Sequence, residues 1–177
     1  DLFQGRKYIR GGSNETIFKS YPDGPQLNIL MTTEFSVTVW VKARASETET
    51  TRYILCQTSN IDFSPTGLYI GSTGDSTLQY VFGIGENPLK GGLLSYDDMN
   101  KWVHLVYVMD VNRNKSIYRN GSKIFSDDLN NEAIISDIPI RLFISSNTDY
   151  SDLRIYRNAL TSNEITDFYD SYNSNIY

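Results

Sequence analysis

Between Ser151 and Tyr172 the spacing of apolar residues changes period. As far as Ile155 apolar and polar residues alternate, as in a strand; from Leu160 onward they fall at Ile165, Phe168, Tyr169 and Tyr172, as in a helix. The seam is Thr161-Ser162-Asn163-Glu164, which predicts a capping box with Thr161 as N-cap and Glu164 at the third helical position. Leu160 and Ile165 stand where a hydrophobic staple forms across such a helix start. Upstream the pattern is that of strands. Phe35 to Lys42 alternates and is rich in β-branched residues, and Thr51 to Gln57, Leu68 to Gly71, Thr77 to Ile84, Lys101 to Met109 and Ile140 to Ser145 read the same way. Turn chemistry separates them: Ser64-Pro65-Thr66-Gly67, Gly74-Asp75 and Gly91-Gly92. Ser116 to Arg119 and Lys123 to Phe125 flank Asn120-Gly121, a strong hairpin signal because both residues accept positive φ at low cost. Many short strands at this spacing predict an all-β, antiparallel sandwich with one short C-terminal helix, formed as a single domain over residues 1–177. The polar segment from Asp127 to Ser136 reads as a loop.

Composition narrows the partners. With 21 acidic against 16 basic residues and a net charge of −5, the chain has no basic stripe with which to neutralise phosphates, so nucleic acid is not expected. No apolar run approaches the roughly 18 residues of a membrane-spanning helix, so membrane insertion is not expected either. Cys56 is the only cysteine, which excludes an internal disulfide and a cysteine-based zinc site. Tyrosine dominates the aromatics, 13 against 8 Phe and 2 Trp, which suits half-wet surfaces on strands or on binding platforms.

The order of these segments resembles the laminin-G-like branch of the concanavalin-A-like lectin and glucanase superfamily. The resemblance covers roughly Thr16 to Tyr172. It rests on Phe35 to Lys42 with its Trp40, on Lys101-Trp102-Val103-His104-Leu105-Val106, on Ile117-Tyr118-Arg119-Asn120-Gly121, and on Asp152 to Leu160 followed by Glu164-Ile165. It implies a jelly roll that the late helix closes, covering an opening that the strands leave bare. In this chain Asp149-Tyr150-Ser151 precedes the Asp-x-Arg strand, where the family often has glycine and an acid.

The chemistry follows from that frame. Superfamily hydrolases carry a Glu-x-Asp-x-Glu run on one strand, a spacing that brings two carboxyl groups about 5 Å apart as retaining hydrolysis requires. The chain has no such run, and no catalytic residue is assigned. His104, the single histidine, reads as a packed strand residue beside Trp102. The resemblance makes calcium a candidate cofactor held by Asp149 and Asp152; the alternative is a solvated loop, or Asp152 paired with Arg154. For glycans, rings offer a face to sugar C–H groups while neighbouring acceptors bind hydroxyls. Tyr96-Asp97-Asp98 and Asn147-Thr148-Asp149-Tyr150 combine both as expected loops, so Tyr96, Asp97, Asp98, Asn147, Asp149 and Tyr150 are the candidate glycan-binding residues. Trp40 faces outward or lies under the closing helix, the second being favoured. Asn14-Glu15-Thr16, Asn114-Lys115-Ser116 and Asn120-Gly121-Ser122 match the N-glycosylation pattern.

The expectation is a non-enzymatic module that binds a glycan or glycoprotein receptor, displayed outside a cell or on a virion. The alternatives are a protein-interaction or architectural domain and, weaker, a glycoside hydrolase with an unrecognised site.

Overall fold

The computed structural model describes residues 2–3, 6–7, 9–10, 17–20, 34–43, 51–56, 69–73, 79–84, 87–93, 98–127, 141–144 and 148–173. Its centre is the strand with the cleanest alternation, β5 (Phe35–Ala43). On one side β5 pairs with β10 (Val103–Met109), and beyond it lie β11 (Lys115–Arg119) and β12 (Ser122–Asp127). On the other side it pairs with β14 (Thr148–Tyr156), which in turn pairs with β3 (Ile9–Arg10). A second sheet orders β4 (Ile17–Ser20), β13 (Arg141–Ile144), β6 (Thr51–Cys56), β7 (Tyr69–Thr73), β8 (Gln79–Ile84) and β9 (Asn87–Leu93). Every pairing among the described residues is antiparallel, including that of the short β1 (Leu2–Phe3) with β2 (Arg6–Lys7).

Alternation decides which side chains meet between the sheets. Phe35, Val37, Val39 and Val41 of β5 join Val103, Leu105, Tyr107 and Met109 of β10, Ile117, Tyr150, and Tyr80 from the second sheet in one buried cluster. The opposite face of β5 and β10 carries Ser36, Thr38, Trp40, His104, Val106 and Val108, and these are buried as well. A strand buried on both faces needs cover on both, and the helix α1 (Ser162–Asn173) supplies the second layer. Its Ile165, with Leu160 just before it, packs on Val106, Val108 and Tyr118, with Phe168 alongside. The helix thus lies across the outer face of the first sheet. The sequence-based expectation had it closing an opening in the sandwich.

The helix start forms as its residues require. The Thr161 amide donates to Glu164 Oε2 at 2.8 Å, and the Glu164 amide donates back to Thr161 Oγ1 at 3.3 Å. Those contacts hold the Glu164 carboxyl below its usual range, the backbone hydrogen bond from Thr161 contributing most. Ser36 fixes the approach. Its hydroxyl donates to the Asn158 carbonyl at 2.9 Å and accepts from the Leu160 amide at 2.8 Å, so a buried strand residue holds both sides of the turn.

Two expectations are corrected. Gly91-Gly92 is not a turn between strands; both residues lie in β9. The register explains why: Gln79 faces Leu93 and Tyr80 faces Gly91, so Gly92 is the extra residue of a bulge, a place that suits a residue without a side chain. The second correction is the stretch 148–150, which was expected as a loop and forms the start of β14. Between Ser151 and Arg154 the register slips against β5, and Asp152 there has φ 51°. The bulge reverses the alternation, so Tyr150 before it and Leu153 and Ile155 after it all meet the inner cluster. A strand whose period breaks midway reads from sequence as a loop followed by a shorter strand.

Because Thr161 serves an exposed helix start, Thr161→Ala should cost roughly 1 kcal/mol of stability. Urea melts of mutant and parent should differ by that amount; coincident curves would show that the capping box contributes nothing.

Candidate functional site

Two polar arrangements stand out from the sandwich. The first closes the segment that carries Tyr96 and Asp97. Those two residues, like Asn147, lie outside the described residues. Asp98, directly after them, is described, and it is not an exposed ligand contact. Only 4% of its surface is accessible. Arg119 Nε donates to its Oδ2 at 2.7 Å, Arg119 Nη2 donates to its Oδ1, and the Tyr80 hydroxyl donates to Oδ2 at 3.0 Å. A two-pronged guanidinium on a buried carboxylate is the strong form of this contact. It raises the Arg119 pKa, the hydrogen bonds to Asp98 contributing most. Burial, with Asp98 beside it, also drives the Tyr80 phenol well above its ordinary range. The same turn is tied to the end of β5, where the Asn100 amide donates to the Ala43 carbonyl at 2.7 Å. Asp98 therefore anchors the chain at the foot of its candidate loop, joining Tyr80 of the second sheet to Arg119 of the first.

The second arrangement lies beneath α1. Trp40 is 3% exposed and stands 5.1 Å from the His104 ring, 6.0 Å from Tyr169 and 5.3 Å from Tyr172, measured between ring centroids. This places it under the closing helix, the favoured of the two expectations. His104 has its ring stacked with Tyr169 and Tyr172 and its Nδ1 buried without a hydrogen-bond partner. Burial pushes its pKa down to about 4; Asp152 raises it a little and Arg154 lowers it.

The hairpin motif locks onto this histidine. The Asn120 amide donates to the His104 carbonyl at 2.8 Å, and the His104 amide donates to Asn120 Oδ1 at 2.9 Å. Asn120 and Gly121 have φ of 50° and 79°, as the turn requires. A Cβ at position 121 would meet Tyr169 at an ordinary contact distance of 3.4 Å, so it is the positive φ that calls for glycine here. The Tyr118 hydroxyl meets Ser162 Oγ at 3.0 Å, and Thr166 Oγ1 donates to the Gly121 carbonyl at 3.2 Å. Two motifs separate in the sequence thus serve one contact.

The remaining candidates are displaced from a loop surface. Tyr150 is a core residue, opposite Val41. Asp149 is 2% exposed, with Lys42 of β5 and Arg10 of β3 as its registered neighbours. The side chains of Asp98, Asp149 and Tyr150 are thus buried, which corrects their expected display on loops. Asp152 accepts from Arg154 Nε at 2.9 Å and from Nη2 at 2.8 Å, and Arg154 Nη2 also donates to the Tyr172 hydroxyl at 3.0 Å. Both oxygens of Asp152 are therefore engaged by a cation of the chain itself. Among the described residues no group of three or more His, Cys, Asp or Glu is placed to hold a metal. Sequence reasoning missed the roles of Tyr80, Arg119 and Ser36. Arg119 sits inside the Tyr-x-Asn-Gly motif, the one sequence feature that could have flagged it.

Comparison with known proteins decides the lineage. The family model described as the concanavalin A-like lectin/glucanases superfamily matches residues 19–166. This chain belongs to that superfamily. No curated protein sequence matches it. Among solved structures, the superfamily domain is similar to the binding domain of botulinum neurotoxin DC in complex with SialylT, at TM-score 0.68 and 18% identity over 92% of this chain. It is similar to the binding domain of Paraclostridial Mosquitocidal Protein 1 at TM-score 0.71 and 19% identity over 96%. It is also similar to a structure of botulinum neurotoxin type C, a toxin whose cell entry is dependent upon interaction with two ganglioside molecules, at TM-score 0.67 and 18% identity over 92%. The matches take in only 42%, 44% and 42% of those chains respectively. At these identities the likeness carries the fold. Among the described residues no helix is long and apolar enough to cross a membrane.

Arg119→Met would leave the Asp98 carboxylate buried beside Tyr80 without its cation. Breaking such a pair should cost roughly 3 kcal/mol, the low end of its range because Arg119 is itself partly exposed. Tyr80→Phe, which removes one hydrogen bond, should cost about 1 kcal/mol. Equal losses in denaturant melts would refute the charge-pair account.

Proposed function

We propose that this superfamily domain is a non-enzymatic binding module that recognises a glycan, or a glycoprotein through its glycan, at a cell or particle surface. The observation that carries the reading is its likeness, over 92% of its length, to a toxin binding domain solved with SialylT. Three of the described carboxylates favour a binding role over hydrolysis: Asp98 and Asp152 spend both oxygens on guanidinium groups, and Asp149 is buried in a strand. Recognition falls to Tyr96 and Asp97, which precede the anchored Asp98, with Asn147 as the other retained candidate. A clamped loop foot favours affinity because less ordering remains to be done on binding. Calcium at Asp149 and Asp152 is not part of the proposal, since Arg154 already engages Asp152.

A second reading is favoured by a specific observation. More than half of each matched toxin chain lies outside the likeness, so the ligands named for those proteins belong to longer molecules. The part shared with this chain could serve there as an architectural or protein-contacting domain.

The two readings part on a glycan array that includes sialylated oligosaccharides and gangliosides, probed with and without calcium. Glycan recognition predicts saturable binding that calcium leaves unchanged. It also predicts about a tenfold or greater loss on Tyr96→Ala, equivalent to roughly 1.4 kcal/mol, with an unchanged melting curve. No binding in either condition would overturn the glycan reading in favour of the architectural one. A melting temperature that rises with calcium would overturn the exclusion of that ion.

A further inference from the structure

His104 is the only histidine of the chain, and its ring lies against the underside of α1. It is 3% exposed, with its cross-strand neighbour Trp40 of β5 beside it and Tyr169 and Tyr172 of α1 over both. Its Nδ1 is buried without a hydrogen-bond partner. A neutral imidazole fits that setting. An imidazolium must place a second N–H donor there and give up its hydration.

The charged and titratable groups around it do little to help. From β14, Asp152 would attract the cation, but both of its oxygens hold Arg154, which repels it. From α1 come the rings of Tyr169 and Tyr172. From β5 comes Trp40, with Lys42 two positions along the same face. From β11 comes Tyr118, with Lys123 of β12 over its ring, while Arg119 points to the inner face, and the hairpin tip offers the Asn120 backbone. The ring faces attract a cation weakly, which burial outweighs.

We propose that His104 is an acid-operated release for α1: taking up a proton, it can no longer be held in the closed ring stack, and the helix lifts to bare Trp40, Tyr169 and Tyr172. The sign follows from burial. The closed form holds the histidine near pKa 4, and the opened form returns it to the ordinary 6.5. The opened form therefore binds more protons at every pH between these values. The seal is at full strength above pH 6.5, weakens as pH falls, and stops weakening below about 4. Across that window the opening equilibrium shifts on the order of a hundredfold. Glu164 adds to the trend, because acid also removes the carboxylate of the capping box.

The test places a thiol under the helix in the full chain, Ile165→Cys, and another in the inner cluster, Val39→Cys, each with Cys56→Ala. Labelling by a dipyridyl disulfide, which reacts in acid, is compared with the unfolded chain at each pH. The expected result is that Cys labelling at position 165 rises on the order of a hundredfold from pH 7 to 4 and exceeds that at position 39 throughout. In a His104→Phe background the rise should shrink to the part that Glu164 supplies, measured with Glu164→Gln. An unchanged rise in His104→Phe, or equal labelling at 165 and 39, overturns the proposal. Should His104→Phe not fold, the histidine ring resonance decides: titration near pH 4 together with shifts of the Tyr169 and Tyr172 rings supports the release, and titration near 6.5 without them overturns it.

Discussion

The structure depends on one constraint: β10 is buried on both faces. From Val103 to Met109 every side chain is buried, alternately toward the second sheet and toward α1. A sandwich alone covers one face of such a strand, so the outer face needs its own apolar cover, and a short amphipathic helix is sufficient. Its cost is the ordering of the turn at 158–161. That cost is offset by contacts already in the sheet, the Ser36 hydroxyl on both sides of the turn and Tyr118 at the first helical residue. The Asn120-Gly121 tip then meets the middle of the helix, and Arg154 reaches its end through Tyr172. The superfamily motifs that define this fold are thus largely the parts of one seal.

Where local chemistry decides structure, the sequence was readable. Thr161 and Glu164 cap the helix because their side chains reach each other's amides. Asn120-Gly121 turns because both residues tolerate positive φ, and β5 alternates because one of its faces meets the other sheet. What could not be read depends on neighbours distant in the chain. Whether Asp98 is a wet loop acid or a buried anchor is decided by Arg119 and Tyr80, each some twenty residues away. Tyr150 was read as a loop ring because the bulge at Asp152 breaks the period of β14. Gly91-Gly92 was read as a turn because a bulge and a turn use the same residue. The two-residue strands near the N-terminus carry too little pattern of their own, and their partners define them.

For function, the same geometry separates scaffold from recognition. Acids that looked available, Asp98 and Asp152, are structural cations' partners, and the aromatic face around Trp40 is a covered interior. The proposed recognition by Tyr96 and Asp97 therefore sits beside a buried anchor, in keeping with rigid sandwiches whose connecting segments carry specificity. The fold alone is compatible with several roles.

The central claim is that α1 makes the outer face around Trp40 an interior at neutral pH. Acrylamide quenching of Trp40, measured with Trp102→Phe so that one indole reports, tests it directly. The account predicts a weakly quenched, blue-shifted emission that becomes strongly quenched when Tyr169 and Tyr172 are both replaced by Ala. Quenching of the parent as efficient as that of free indole would contradict it.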